Sequence, residues 1–356
     1  MTAPTPTRVA GRPALRRGRF SGVLRPRTIA VTVLGLVLVL LAAAVNIGRG
    51  DFPISLGEVL AVLLGGGERG QQFVVLDLRL PRSLTGILVG AALGLAGAIT
   101  QTVARNPLAS PDVLGVTSGA SAAAVLLIVL GGSDAGVAAV GATLGLPLAA
   151  LLGGLLTAVL VYSLAWRRGI EGHRLVLVGV GIAAVGTALT NWLLTRAEIT
   201  DAARATVWLT GSLNARGWEH VVPVGAALVV LVPVALLLGF GLGALQLGDD
   251  TARGLGLRVD RERAALVVVA VALAAVATAS AGPVAFVALV VPQICQRLVG
   301  AARPPLLASA VYGALLVLVA DLVARTVLAV ELPVGIVTAV LGAPYLLFLL
   351  TRGVRS

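Results

Sequence analysis

At 356 residues, 58% hydrophobic and only 12% charged, this chain has too little polar surface for a water-soluble domain, which would carry about 25% charged residues. A mean hydropathy of +1.01 requires lipid to cover much of the apolar surface. The net charge of +11 comes from 27 basic residues, all arginine; without lysine a phosphate-binding P-loop is excluded, so any ATP hydrolysis belongs to another chain.

A bilayer core of about 30 Å needs about 20 apolar residues per helix. Ten stretches of spanning or near-spanning length follow in order: 28–47, 83–104, 114–130, 141–166, 175–195, 221–245, 264–279, 283–299, 306–323 and 334–350. The expected organisation is an all-α membrane protein: a basic segment 1–27, a ten-helix transmembrane domain 28–350 and a tail 351–356. The first stretch is longer than a signal-peptide core and reads as a retained helix. In the loop that follows, Ser55-Leu56-Gly57-Glu58 is a capping box ahead of Val59–Leu64, which predicts a short interfacial helix. Gly90/Gly94, Gly141/Gly145 and Gly239/Gly243 have the Gly-x-x-x-Gly spacing that lets helices approach closely in lipid. A tight turn at Gly282-Pro283, with proline at the first helical position, separates the seventh and eighth stretches. Asp321 and Arg325, spaced i, i+4 near the outer end of the ninth, form the one ionisable pair well inside an apolar run and suit a local ion pair. Cys295 reads as a small packing residue, and His173 and His220 flank different helices, so neither a metal site nor a cofactor is expected.

Placing the N-terminus in the cytoplasm puts 19 arginines and six acidic residues on the inner side, against eight arginines and ten acidic residues outside. This positive-inside pattern supports an even span count with both termini cytoplasmic. The basic excess therefore reports topology, and no nucleic-acid partner is expected.

The inner loop after the sixth span (about 246–263) reads Leu247-Gly248-Asp249-Asp250-Thr251-Ala252-Arg253-Gly254-Leu255-Gly256-Leu257. Asp249 or Asp250 could cap a short helix that Gly254 or Gly256 ends. Spacing alone leaves two readings open, a helix that docks in a partner's groove and an ordinary charged connector.

Four blocks in this order resemble the FecCD-type permeases, a family that imports iron–siderophores, haem and cobalamin. They are Leu78-Arg79-Leu80-Pro81-Arg82-Ser83-Leu84; the stretch from Asn106-Pro107-Leu108 to Ala120; the inner loop with the continuation from Gly282 to Pro292; and Ala320–Arg325 followed by Glu331 to Pro344. The resemblance implies the BtuC-like fold of type II ABC importer permeases in a bacterial cytoplasmic membrane. It implies cytoplasmic ATPase subunits, a second permease subunit, identical or not, and an extracytoplasmic substrate-binding protein. It assigns binding-protein docking to Arg79, Arg82 and Arg325 at the outer mouth, where snorkelling or a pair with Asp77 or Asp321 is the plainer reading. It assigns ATPase coupling to Leu247, Gly248, Asp249, Ala252, Leu255 and Gly256, and an inner gate to Asn106 and Leu108. The chain departs from the family pattern at Ala288, Gln293 and Gln296, where glycine, histidine and arginine are common.

The implied function is import of a ferric siderophore, with cobalamin or haem as the alternative cargo. A secondary carrier is disfavoured because such carriers place charge at mid-depth, and a membrane enzyme because no catalytic cluster is present in the sequence.

Overall fold

The computed structural model describes residues 14–17, 20–23, 25–50, 52–131, 145–166, 172–327 and 330–353. The basic residues at 1–13 and 167–171, Asp134 and Gly141 lie outside them. A short antiparallel hairpin, β1 (Ala14–Arg17) with β2 (Phe20–Val23), precedes the helices, an addition to the all-α expectation.

Each of the ten expected spans corresponds to a helix. They are α1 (Pro26–Gly48), α3 (Arg69–Ala104), α4 (Val116–Gly131), α5 (Leu146–Ala165), α6 (Gly172–Arg196), α8 (Trp218–Leu245), α10 (Val259–Ala281), α11 (Val287–Val299), α12 (Leu306–Thr326) and α13 (Val334–Gly353). Among the described residues three short helices join them: α2 (Leu56–Leu63), α7 (Ile199–Leu209) and α9 (Asp249–Gly254). The capping box forms as expected: Glu58 N–H donates to Ser55 Oγ at 3.3 Å and Ser55 N–H to Glu58 Oε2 at 2.8 Å. Nothing in the polar stretch 196–212 announced α7.

Burial sorts the helices. The most apolar window of α3 is 78% buried and that of α10 72%, against 11% for α1 and 17% for α6. α3 is thus the central post and α10 its neighbour, while α1 and α6 face outward. Composition explains the post. Gly90 and Gly94 of α3 lie against Gly313 and Ser309 of α12, and a Cβ on Gly94 would overlap the Ser309 carbonyl oxygen. One turn on, a Cβ on Gly97 would overlap the carbonyl of Ala288 in α11. Gly90/Gly94 makes such a backbone approach, whereas Gly239 and Gly243 meet only side chains at 3.2 Å or more; Gly141 lies outside the described residues.

Prolines shape two of these helices. At Phe73–Arg79 α3 widens to a π-turn just before Pro81. Pro81 has no N–H for the Leu76 carbonyl five residues back. Trp218 Nε1 of α8 donates to that carbonyl instead, at 3.1 Å. In α11, Pro292 likewise cannot serve the Ala288 carbonyl, and Gln101 Nε2 reaches it at 3.4 Å and the Leu289 carbonyl at 2.9 Å. Gln293 then donates from Nε2 to Gln101 Oε1 at 2.6 Å. One departure from the family pattern, glutamine for histidine, thus completes a buried amide pair that satisfies broken helix backbone inside the bundle.

The expected Gly282-Pro283 turn is corrected. Pro283 does not begin a helix: residues 282–285 are non-helical, Phe286 sits in the left-handed region at φ 66°, and α11 starts at Val287. This backbone crosses two others. Ser212 N–H donates to the Ala281 carbonyl at 2.8 Å and Gly335 N–H to the Gly211 carbonyl at 3.0 Å, so the irregular segments satisfy one another within protein.

Candidate functional site

The sequence-derived candidates fall at opposite ends of α3, here called the rim face and the loop face.

At the rim face, Asp321 of α12 is 1% exposed and gathers three partners. Arg82 donates to its carboxylate from Nε at 3.1 Å and from Nη2 at 2.7 Å. Arg325 lies 3.4 Å from Oδ2, one turn along the same helix. Asn46 Nδ2 of α1 donates at 3.2 Å, and the Asn46 side-chain oxygen accepts from Arg325. Arg82 also reaches outward to Glu331 at 2.5 Å, whose side chain is 37% exposed. The plainer reading of the Asp321–Arg325 spacing is thus present, and Arg82 and Asn46 enlarge it to a network over α1, α3 and α12. Arg79, turned by the π-widening, donates to the Ile47 carbonyl at 2.8 Å and the Phe52 carbonyl at 2.6 Å, and is 9% exposed. It holds the chain leaving α1. Asp77 is exposed and stands apart from this network.

At the loop face, the expected short helix is present as α9, with a correction to its cap. Gly248, at φ +104°, is the N-cap, and Asp249 and Asp250 occupy the first turn, where carboxylates complement the helix dipole. The stop is as expected: Gly256 turns left-handed at φ +84° and Leu257 N–H closes back on the Ala252 carbonyl at 3.1 Å. Ala252 is fully buried, whereas Leu247 is 64% and Leu255 63% exposed. Asp249 Oδ1 accepts from Arg105 Nη2 at 2.5 Å and from Arg263 Nη2 at 2.9 Å. Burial would raise the Asp249 carboxyl, but Arg263 and then Arg105 outweigh it and hold it below the usual carboxylate range. Arg105, at φ 51° beyond the end of α3, also donates to the Leu245 carbonyl that ends α8, at 3.1 and 2.6 Å.

Beside it, Leu108 N–H donates to Asn106 Oδ1 at 2.9 Å and Ala109 N–H to the Asn106 carbonyl at 3.1 Å, a rigid turn carrying Leu108 into the open at 37% exposure. Asn106 and Leu108 thus adjoin the loop that carries α9 through Arg105.

An apolar groove of about 380 Å³ opens between α11, α12 and α13, lined by Val290, Ile294, Tyr312, Leu316, Leu341 and Tyr345 among others. Its walls offer the oxygen-rich surface of a polar chelate little beyond tyrosine, and Tyr312 already donates to the Val31 carbonyl at 3.3 Å. Among the described residues no group of three or more histidine, cysteine or acidic side chains is placed to hold a metal.

The FecCD transport family model matches residues 36–352, nearly the whole chain. This protein belongs to the FecCD transport family. The permease is 41% identical to the ferric enterobactin transport system permease protein FepG of Escherichia coli (strain K12), over 93% of this chain and 98% of that one. It is 42% identical to the achromobactin transport system permease protein CbrC of Dickeya dadantii (strain 3937), over 95% of each. Its fold matches a solved inward-facing structure assigned to the metal-chelate type of ABC transporter, with a TM-score of 0.77 and 28% identity, covering 91% of this chain and 99% of that one. As an ABC importer permease it is a multi-pass transport subunit and not an enzyme.

Arg105, Arg263, Asn46 and Glu331 were not singled out from sequence. Arg105, Asn46 and Glu331 act on partners far along the chain, and Arg263 on one across the turn between α9 and α10; only an arginine directly after the central span hinted at one of them.

Proposed function

We propose that this permease passes a ferric siderophore inward across the bacterial cytoplasmic membrane, with its rim face outside and its loop face in the cytoplasm. The observation that carries the reading is the loop helix: a rigidly pinned α9 whose ends present Leu247 and Leu255, both exposed, on a face otherwise charged. Exposed leucines flanking a short fixed helix suit insertion into a groove on an ATPase subunit. The family match and relatives named for enterobactin and achromobactin support an iron chelate over cobalamin or haem. The polar poverty of the intrachain groove supports a path shared with a second permease subunit.

Leu247→Asp with Leu255→Asp is expected to weaken capture of the ATPase subunit about tenfold or more, as loss of a central apolar contact does. Undiminished capture in a co-purification assay would sink the loop assignment.

Arg82 and Arg325 would meet carboxylates of an extracytoplasmic binding protein at the rim, and Arg79 would support them from below. Reversing these arginines is a poor test, because Arg82→Glu or Arg325→Glu would set a second carboxylate against the buried Asp321. Glu331 gives a cleaner one. It holds Arg82 from the exposed side while Asp321 holds it from within. Glu331→Gln is therefore expected to tighten binding-protein docking about three- to tenfold at low salt, with the gain fading as salt screens the rim. Docking that is unchanged, measured by surface plasmon resonance across a salt series, would remove Arg82 from the docking surface.

A further inference from the structure

The loop helix has six residues and glycines with positive φ flanking it, Gly248 at φ +104° and Gly256 at φ +84°. A Cβ at either would meet nothing within 4 Å, so backbone conformation, not space, calls for glycine there. Such a segment has two flexible joints and little to anchor it. Its one fully buried side chain is the methyl of Ala252. Its own pair, Asp250 with Arg253, is exposed and worth little.

What fixes it is Asp249. One carboxylate oxygen accepts from two guanidiniums that belong to different parts of the membrane core. Arg105 follows the last residue of α3, and Arg263 lies in the first turns of α10 with its side chain only 7% exposed. These are the two most buried of the long helices. Arg105 ties in a third through the end of α8.

We propose that Asp249 is the positioning residue of transport: its clamp on Arg105 and Arg263 makes the loop helix a rigid extension of α3 and α10, so that displacement of the loop moves the core. The proposal rests on the reading of α9 as the ATPase-facing helix. α3 is one continuous helix from Arg69 to Ala104, with Arg82 of the rim network near its other end. A push on α9 therefore reaches, through one carboxylate, the post that carries Arg79 and Arg82. The turn at Asn106–Leu108 follows directly on Arg105 and would move with it.

The test uses the full-length permease with its ATPase and binding-protein subunits in lipid nanodiscs and vesicles. A nitroxide label on Asp250→Cys reports mobility of α9; Asp250 points wholly into solvent, and the native Cys295 is buried. Asp249→Asn is expected to narrow the label's spectrum, because the carboxylate that holds both guanidiniums is lost. Substrate moved per ATP hydrolysed is expected to fall about tenfold, within the usual span of coupling between sites. Asp249→Glu, which keeps the charge, should recover part of that ratio. If Asp249→Asn fails to fold, Arg105→Gln removes only the more exposed arm and should change both readouts in the same direction. An unaltered spectrum and an unaltered ratio in the variants that fold would overturn the clamp. Loss of ATPase capture in Arg105→Gln would also overturn it, by making the clamp a contact surface and not a positioner. Failure of Leu247→Asp with Leu255→Asp to affect capture would instead refute the underlying reading of the loop.

Discussion

Asp321→Ala is expected to cost on the order of 3–5 kcal/mol of stability, the range for breaking a buried ion pair by removing one partner. The residue is 1% exposed, and its carboxylate answers Arg82, Arg325 and Asn46 at once. Removing it leaves two guanidiniums facing each other where water is scarce, each with a side chain only 12% exposed. Neither can shed its charge, because arginine keeps its proton. Asp321→Asn keeps the shape and should fall between parent and alanine. Replacing all three ionic residues by apolar ones, Asp321→Leu with Arg82→Met and Arg325→Met, is expected to recover much of the loss, since a packed apolar set often matches an ion cluster. Thermal unfolding of the purified permease in detergent orders the four proteins. An alanine variant as stable as the parent would mean that the network is ornamental.

Gly97→Val is expected to prevent stable assembly of the bundle. A Cβ at this position would overlap the Ala288 carbonyl, and backbone cannot move aside as a side chain can. The same carbonyl lies at the helix break caused by Pro292 and depends on Gln101. Separating α3 from α11 would therefore cost packing and also strand a polar group in the bundle, on the order of 1–3 kcal/mol beyond the overpacking itself. Gly94→Val should behave alike through the Ser309 carbonyl. Gly181→Ala is the contrast, because nothing lies within 4 Å of a Cβ there and alanine favours helix over glycine by about 0.5–1 kcal/mol. Size-exclusion profiles of membrane-extracted protein distinguish these outcomes. A monodisperse Gly97→Val peak at parental yield would contradict the packing argument.

Sequence disclosed the spans because lipid imposes a one-dimensional requirement: about 20 apolar residues or no crossing. Ser55 and Glu58 were legible for a related reason, as a capping box is complete within four residues. Legibility failed where contacts are long-range or proline rearranges the backbone. The Gly282-Pro283 pair suggested a helix start, yet Phe286 takes the left-handed turn and delays α11 by several residues. Asp249 resembled a cap because capping chemistry is local; its partners Arg105 and Arg263 become visible only once α3 and α10 stand side by side. Arg79 matched a motif, but the π-turn ahead of Pro81 directs it to two backbone carbonyls rather than to solvent. The rim network was half legible: the Asp321–Arg325 spacing is helical and a pair of an outer arginine with Asp321 was one reading of the motif, but Asn46 and Glu331 come in only through the fold.

The central claim is import of a ferric siderophore driven by a separate ATPase. Uptake of radiolabelled ferric siderophore into proteoliposomes holding the permease and its ATPase subunits, with binding protein and siderophore on the rim side, tests it most directly. Accumulation should require ATP on the loop side and binding protein on the rim side, and should stop when the ATPase is omitted. Uptake sustained by a proton or sodium gradient without the ATPase would contradict the account.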